Sequence, residues 1–361
     1  MVSDGGPPES GTAPDEARPF WVGCYTDGAT GGDGIHRCLL DTASGALHVL
    51  GGVDDVANPS YLALGRRPDV LYAVQETSVA PSVHALRLLA DGHVVHAGQQ
   101  AVPDELPCHL SVDPSGRWLA VAAYGTGTVA LYPLDAGGSI GGARSVVQHR
   151  GRSVHPTRQE GPHAHAAVFT PDGTELLVPD LGLDEVKRYR ISPEAGLEPL
   201  PSIRLESGSG PRHLVFGHDG RVAYILNELT SSIAIAARDG EGWSIVAYVP
   251  CVPSADRERS IAAAIRLAPS ARFLYASNRG HDSIAVFAVD PSSGRLAFVQ
   301  HVATGGATPR DFAIDPSGRL LVVANQDSDS LISFWIDPST GRLDATGHTL
   351  RLARPACVLM R

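Results

Sequence analysis

Lysine is almost absent from this chain. Lys187 is the only one, so arginine carries nearly all the positive charge. No run of Lys and Arg occurs, and the formal net charge is −10. The electrostatic footprint that nucleic-acid binders need is therefore missing. Cysteine is sparse too. Cys24, Cys38, Cys108, Cys251 and Cys357 are scattered, odd in number and form no CxxC pair. That pattern argues against a disulfide framework or a zinc site and fits a reducing cytoplasm. No apolar run approaches the ~20 residues of a membrane helix. Residues 1–18, MVSDGGPPESGTAPDEAR, lack the basic start and apolar core of a signal peptide. Their Gly, Pro, Ser and acidic content reads as a disordered tail, leaving residues 19–361 as one domain.

Glycine and proline are plentiful, at 39 and 27 residues, while charged residues make up only 19%. This balance favours many short strands over long helices. A segment of two apolar strands around a tight turn recurs: SYLALGRRPDVLYAVQET from Ser60, CHLSVDPSGRWLAVAAYG from Cys108 and HAAVFTPDGTELLVPDLG from His165. It returns as RHLVFGHDGRVAYILNEL, AAIRLAPSARFLYASNRG and RDFAIDPSGRLLVVANQD from Arg212, Ala263 and Arg310. The D-G and S-G pairs at the centre are hairpin-turn chemistry. A second two-strand segment alternates with it, as in SIAVFAVDPSSGRLAFV and LISFWIDPSTGRLDAT.

Each unit thus holds four strands and repeats every 46 to 57 residues, the period of propeller blades. A helical solenoid is excluded because the apolar residues show no 3.6 spacing. The first unit begins at its second strand, FWVGCYT, and the chain ends on a lone first strand, RPACVLMR. The expected fold is an all-β, seven-bladed propeller whose C-terminal strand completes the first blade and closes the ring.

Aligning the units on their turns exposes positions where chemistry departs from packing. At the start of the innermost strand the equivalents are Ser60, Cys108, His165, Arg212, Ala263, Arg310 and Ala356. Ala and Ser satisfy the fold there, so His and Arg point to a converging anion site, or else to pairing with acids of adjacent blades. The end of the second strand gives another ring. It includes Tyr25, Gln75 with Glu76, Tyr124, Asp180, Asn227 with Glu228, Asn278 with Arg279, and Asn325 with Gln326. His163 lies one strand period before His165. The pair could act as a general base, bind substrate or only form structural hydrogen bonds. For a metal site no third ligand is marked out by spacing, so neither metal nor cofactor is expected.

The stretches HAHAAVFTPDG…VPDLGLDEVKRY, GPRHLVFGHDG…AYILNEL, FLYASNRGHDSIAVF and TPRDFAIDPSG…LVVANQDSDSLISFWIDPSTGRL resemble the seven-bladed propeller lactonase family. That family includes 6-phosphogluconolactonases and carboxy-cis,cis-muconate lactonizing enzymes, and the resemblance spans about residues 20–361. It implies functional roles for His165, Arg212, Glu228 and Arg279, and binding roles for Arg310 and Gln326. His163, Asn278, Asp180 and Tyr124 join them as expected substrate contacts from the ring positions.

The expected activity is hydrolysis of a sugar-acid lactone. The alternatives are cyclisation of a muconate-type or secondary-metabolite acid, and a propeller that only binds a ligand or a protein. The expected partner is a small anionic lactone or carboxylate, with no nucleic acid and no membrane, acting on a monomer or weak dimer. In hydrolysis His165 would deprotonate water while Arg212 and Arg279 meet the developing oxyanion. Glu228 would protonate the leaving oxygen if burial raises its pKa, or would stay ionised and orient an arginine.

Overall fold

A computed structural model describes residues 17–28, 31–90, 92–192, 194, 196–240 and 242–361. The expected tail thus lies outside the described residues up to position 16, whereas Ala17 and Arg18 already belong to the strand Ala17–Cys24. The described strands form seven antiparallel sheets of four strands each. Six sheets are consecutive in the chain. The remaining one is completed by Pro355–Met360, which pairs with the first strand (Trp21 with Leu359, Val22 with Val358) and closes the ring. We number this closing sheet blade 1 and the others 2 to 7 along the chain.

The inner strands of each blade are apolar on both faces, because each blade lies between two neighbours, whereas outer strands such as Leu47–Val53 and Val94–Ala101 are largely exposed. The second strands read as unbroken apolar runs, LLVVAN at Leu320–Asn325 and WLAVAA at Trp118–Ala123, and are almost wholly buried. Among the described residues there is no central core. Seven separate clusters each fill the gap between one pair of adjacent blades: Val74 with Val121 between blades 2 and 3, and Leu226 with Ile265 between blades 5 and 6. The second strands of blades 2, 5 and 6 each carry a buried tyrosine. Tyr72, Tyr224 and Tyr275 donate to the carbonyls of Gly138, Gly294 and Gly341 in the following blade, at 2.8, 2.9 and 2.9 Å. A buried hydroxyl needs such a partner, so each of these bonds also fixes the angle between two blades.

The turns follow from their residues. In the hairpin of blade 3, Asp113 accepts from the backbone N–H groups of Ser115, Arg117 and Trp118, and Gly116 takes the left-handed conformation (φ +72°) that closes the turn. Asp315 and Gly318 repeat the arrangement in blade 7. These turns lie at one end of the channel. The starts of the innermost strands, where the repeat departs from Ala and Ser, lie at the other. No helix among the described residues is long and apolar enough to cross a membrane.

Candidate active site

The innermost strands do not enter the sheet smoothly. In blades 3, 5 and 7 the register slips by one residue between Pro107 and His109, Pro211 and His213, and Pro309 and Asp311. The residue left over is Cys108, Arg212 or Arg310. Blade 1 slips at Ala356, and blade 6 across Ala263 and Ala264. The ring position is therefore a β-bulge, in which one strand carries an extra unpaired residue and re-aims its side chain. A common lead-in precedes it. Asn58, Leu106, Gly210, Thr308 and Arg354 all have positive φ (45° to 63°), and each is followed by proline. Proline cannot donate to the ladder and fixes its own φ, so the left-handed residue and the proline together deliver the bulge residue to the channel.

The second ring comes from the residue just after each second strand, or in blade 6 from its last residue, Arg279. Blade register makes Tyr25, Glu76, Tyr124, Leu181, Glu228, Arg279 and Gln326 equivalent. Glu228 stands where the two rings meet. Its Oε2 lies 2.8 Å from Arg279 Nη2, 3.1 Å from Arg212 Nε and 3.9 Å from His165 Nε2. Its Oε1 lies 2.5 Å from Arg158 Nη2. Arg212 also donates to the Ala263 carbonyl and Arg279 to the Ala262 carbonyl (3.0 Å). Across the channel Tyr25 donates to Glu76 (2.9 Å), and Arg310 lies over the Tyr25 ring, 5.1 Å from its centroid. His165, Glu228, Arg212 and Arg279, the four residues marked by resemblance and repeat together, form one cluster.

A model of the family "Lactonase, 7-bladed beta-propeller" matches residues 19–360. The chain belongs to this family. It is 35% identical over 298 residues to a 6-phosphogluconolactonase of Bacillus subtilis, covering 82% of this chain and 84% of that protein. It is 33% identical over 306 residues to one of Formosa agariphila, covering 82% and 86%. Among solved structures, the periplasmic gluconolactonase of Pseudomonas aeruginosa superposes with a TM-score of 0.88 at 33% identity, covering 95% of this chain and 99% of that one.

The charges of this lactonase-family site are set by burial and by each other. Burial alone would raise the Glu228 pKa. Arg279, Arg212 and Arg158 overcome it and hold the carboxyl far below its usual range. Glu228 is thus an ionised hub rather than a proton donor. Burial, then Arg212 and Arg310, push His165 well below the ordinary imidazole value, only partly opposed by Glu228. Its imidazole is neutral at pH 7, with Nδ1 3.7 Å from the Cys108 thiol. Its Nε2 faces Glu228 at a distance too long for a hydrogen bond. Burial, Arg279 and Arg310 bring Arg212 down to about 10, still protonated at neutral pH.

His163 lies at the rim, stacked on Tyr124 with ring centroids 4.3 Å apart, and its Nδ1 donates to the Tyr124 carbonyl at 2.8 Å. In the neutral ring that bond leaves Nε2 as the acceptor. Tyr124 also sits edge-on to His165, at 5.4 Å. Two expected substrate contacts are not brought to the channel. Asp180 is fully buried, accepting from the His163 and Gly182 backbone N–H groups while pairing with His149 at 2.6 Å. Asn278 is also fully buried and donates to the Cys251 carbonyl. Both precede the channel-facing ring by one residue, and in a strand one residue changes the face. Gln326 does belong to that ring, but its amide bonds Asp327 at the surface.

Three residues at the centre carried no repeat-based signal. Arg158 comes from the long connection into blade 4, outside any repeat unit. His109 and His213 follow the bulge residue directly, one position beyond the ring that the repeat marked. Among the described residues no group of three or more His, Cys, Asp or Glu is placed to hold a metal.

Proposed function

We propose that this chain hydrolyses the lactone of a sugar acid, with His165 as the base that activates water. The observation that carries the reading is the unbonded Nε2 of a neutral His165, 3.9 Å from an ionised Glu228 that two buried arginines flank. Nε2 takes a proton from water as the oxygen attacks the lactone carbonyl. Arg212 and Arg279 stabilise the oxyanion, in a site where burial strengthens the interaction. As the ring C–O bond breaks, the imidazolium returns that proton to the leaving oxygen, so no proton is demanded of Glu228. The carboxylate instead holds the two guanidinium groups in place. The names of the Bacillus, Formosa and Pseudomonas relatives support the same substrate class.

In this reading the enzyme works without a metal, as a monomer or weak dimer, in the cytoplasm, where five separate buried thiols persist unpaired. The test is an assay of the purified chain on 6-phosphogluconolactone, gluconolactone and carboxy-cis,cis-muconate, with products identified by NMR. Hydrolysis of a sugar lactone is expected. His165→Ala should lose about 10²–10⁴ in turnover, and the acid limb of kcat/KM should lie well below the ordinary imidazole value of about 6.5. Lactone formation from the muconate with no hydrolysis of either sugar lactone would sink the reading. Near-normal turnover in His165→Ala would move the base to His163.

A further inference from the structure

Four guanidinium groups (Arg158, Arg212, Arg279 and Arg310) converge on the channel mouth against two carboxylates, Glu228 and Glu76. The excess of two positive charges sits inside a chain of net charge −10. Three of these arginines are already committed. Arg212 is buried and Arg279 mostly so, each bonded to a backbone carbonyl as well as facing Glu228, and Arg310 is stacked on Tyr25. Arg158 differs. A third of its side chain is exposed, and both of its contacts, to Glu228 Oε1 and to the Tyr124 hydroxyl at 3.4 Å, use Nη2 alone. Among the described residues, Nε and Nη1 are without a protein partner, so N–H donors on either side of the engaged Nη2 are left for a ligand.

This arginine is not adrift on a surface loop. The next residue, Gln159, is fully buried. Its side chain donates to the Leu181 carbonyl (2.8 Å) and accepts from the His155 backbone N–H (3.0 Å), while its backbone bonds both Ser153 and His155. The connection into blade 4 is therefore pinned one residue from the charge. Such preorganisation lets a guanidinium bind an oxyanion without first being ordered.

We infer that Arg158 is the residue by which this enzyme selects a phosphorylated lactone over its unphosphorylated counterpart, its unpartnered donors gripping the phosphate while the lactone carbonyl lies at His165. The inference rests on the sugar-lactonase reading. Its geometry comes from Glu228: Arg158 binds one carboxylate oxygen, and Arg212, Arg279 and His165 gather at the other. A phosphate on Arg158 is thus held beside the reacting centre without displacing the arginines that meet the oxyanion. A charge-assisted N–H···O bond from a guanidinium suits a phosphate, and a neutral sugar hydroxyl cannot match it.

The test compares wild type, Arg158→Gln and Arg158→Lys. It uses kcat/KM on 6-phosphogluconolactone and gluconolactone, and calorimetric titration with 6-phosphogluconate and gluconate. Wild type should prefer the phosphorylated partner of each pair. In Arg158→Gln that preference should fall by about 10- to 100-fold, carried by KM, because charge-assisted bonding is lost. Arg158→Lys should recover only part of it, since an ammonium keeps the charge but cannot hold Glu228 and a phosphate through separate nitrogens. An unaltered preference in Arg158→Gln overturns the inference, as does an equal loss on both partners, which would mean Arg158 acts through Glu228. Absence of any preference in wild type overturns it too. Should wild type hydrolyse neither lactone yet bind 6-phosphogluconate through Arg158, the lactonase reading fails while the assignment of Arg158 to the phosphate stands.

Discussion

At the scale of single residues the site turns on Glu228. A buried carboxylate is costly unless it is paired, and this one has three arginines around it. Removing its charge leaves those arginines facing one another in a dry channel. Glu228→Gln should therefore destabilise the fold by about 3–5 kcal/mol, the usual cost of breaking a buried pair by losing one partner, as well as lowering turnover. The pH dependence has a definite sign. The folded carboxyl titrates far below the unfolded value of about 4.3. Its contribution is complete above that value and drains away as pH falls beneath it. Denaturant unfolding of wild type and Glu228→Gln at about pH 7 and about pH 3.5 checks this. The gap between the two proteins should narrow by about 1 kcal/mol at the lower pH. A gap that stays constant would place the stabilisation elsewhere.

At the scale of elements the working unit is the bulged entry of each inner strand, and the closing strand is the element whose loss tells most. Pro355–Met360 pairs with Phe20–Cys24, supplies Cys357 and Val358 to the packing on either side of blade 1, and donates from Val358 N to Asp311 at 3.0 Å. Deleting residues 354–361 opens a sheet edge and unzips two of the seven inter-blade clusters. The truncated chain should lose its cooperative thermal transition in calorimetry, and a transition at the wild-type temperature would refute the closure. This closure was legible in the sequence, because strands packed on both faces leave apolar runs that turn chemistry divides cleanly. The bulge position was legible for the same reason: counting from a conserved-length hairpin lands on Arg212, His165 and Arg310 alike. The second ring was legible only to within a residue. Asn278 shares the polarity of Arg279, and Asp180 is polar beside the ring residue Leu181, so polarity alone does not tell which of two consecutive residues faces the channel. Arg158 left no trace, since its connection has no counterpart in other blades.

At the scale of the whole molecule, a propeller places its chemistry where its strands converge and its core is absent, so the channel must be filled by something other than a hydrophobic centre. Here it is filled by histidines and arginines. The ring centroids of His165 and His213 lie 5.7 Å apart, and those of His213 and His109 lie 5.4 Å apart. Three converging imidazoles invite comparison with a metal centre. Both nitrogens of His213 and Nδ1 of His109 are engaged, however. Arg212 Nη1 stands 3.1 and 3.3 Å from the two ring nitrogens of His213, and His109 Nδ1 accepts from the Ala167 backbone N–H at 3.2 Å. A divalent cation entering this space would have to displace a buried guanidinium and meet three more at the same mouth, against which the two carboxylates are outnumbered. Burial and the neighbouring arginines bring His109 down to about 3 and His213 well below the imidazole range, so these rings persist as neutral packing and hydrogen-bonding groups. Lactonase activity should accordingly be the same after exhaustive dialysis against EDTA as before it, and adding Zn²⁺ or Ca²⁺ should give no gain. Activity lost on chelation and restored by one of those ions would show that the arginines yield to a metal. The channel would then be a metal site, and the roles given to Arg212 and His165 would fall with the prediction.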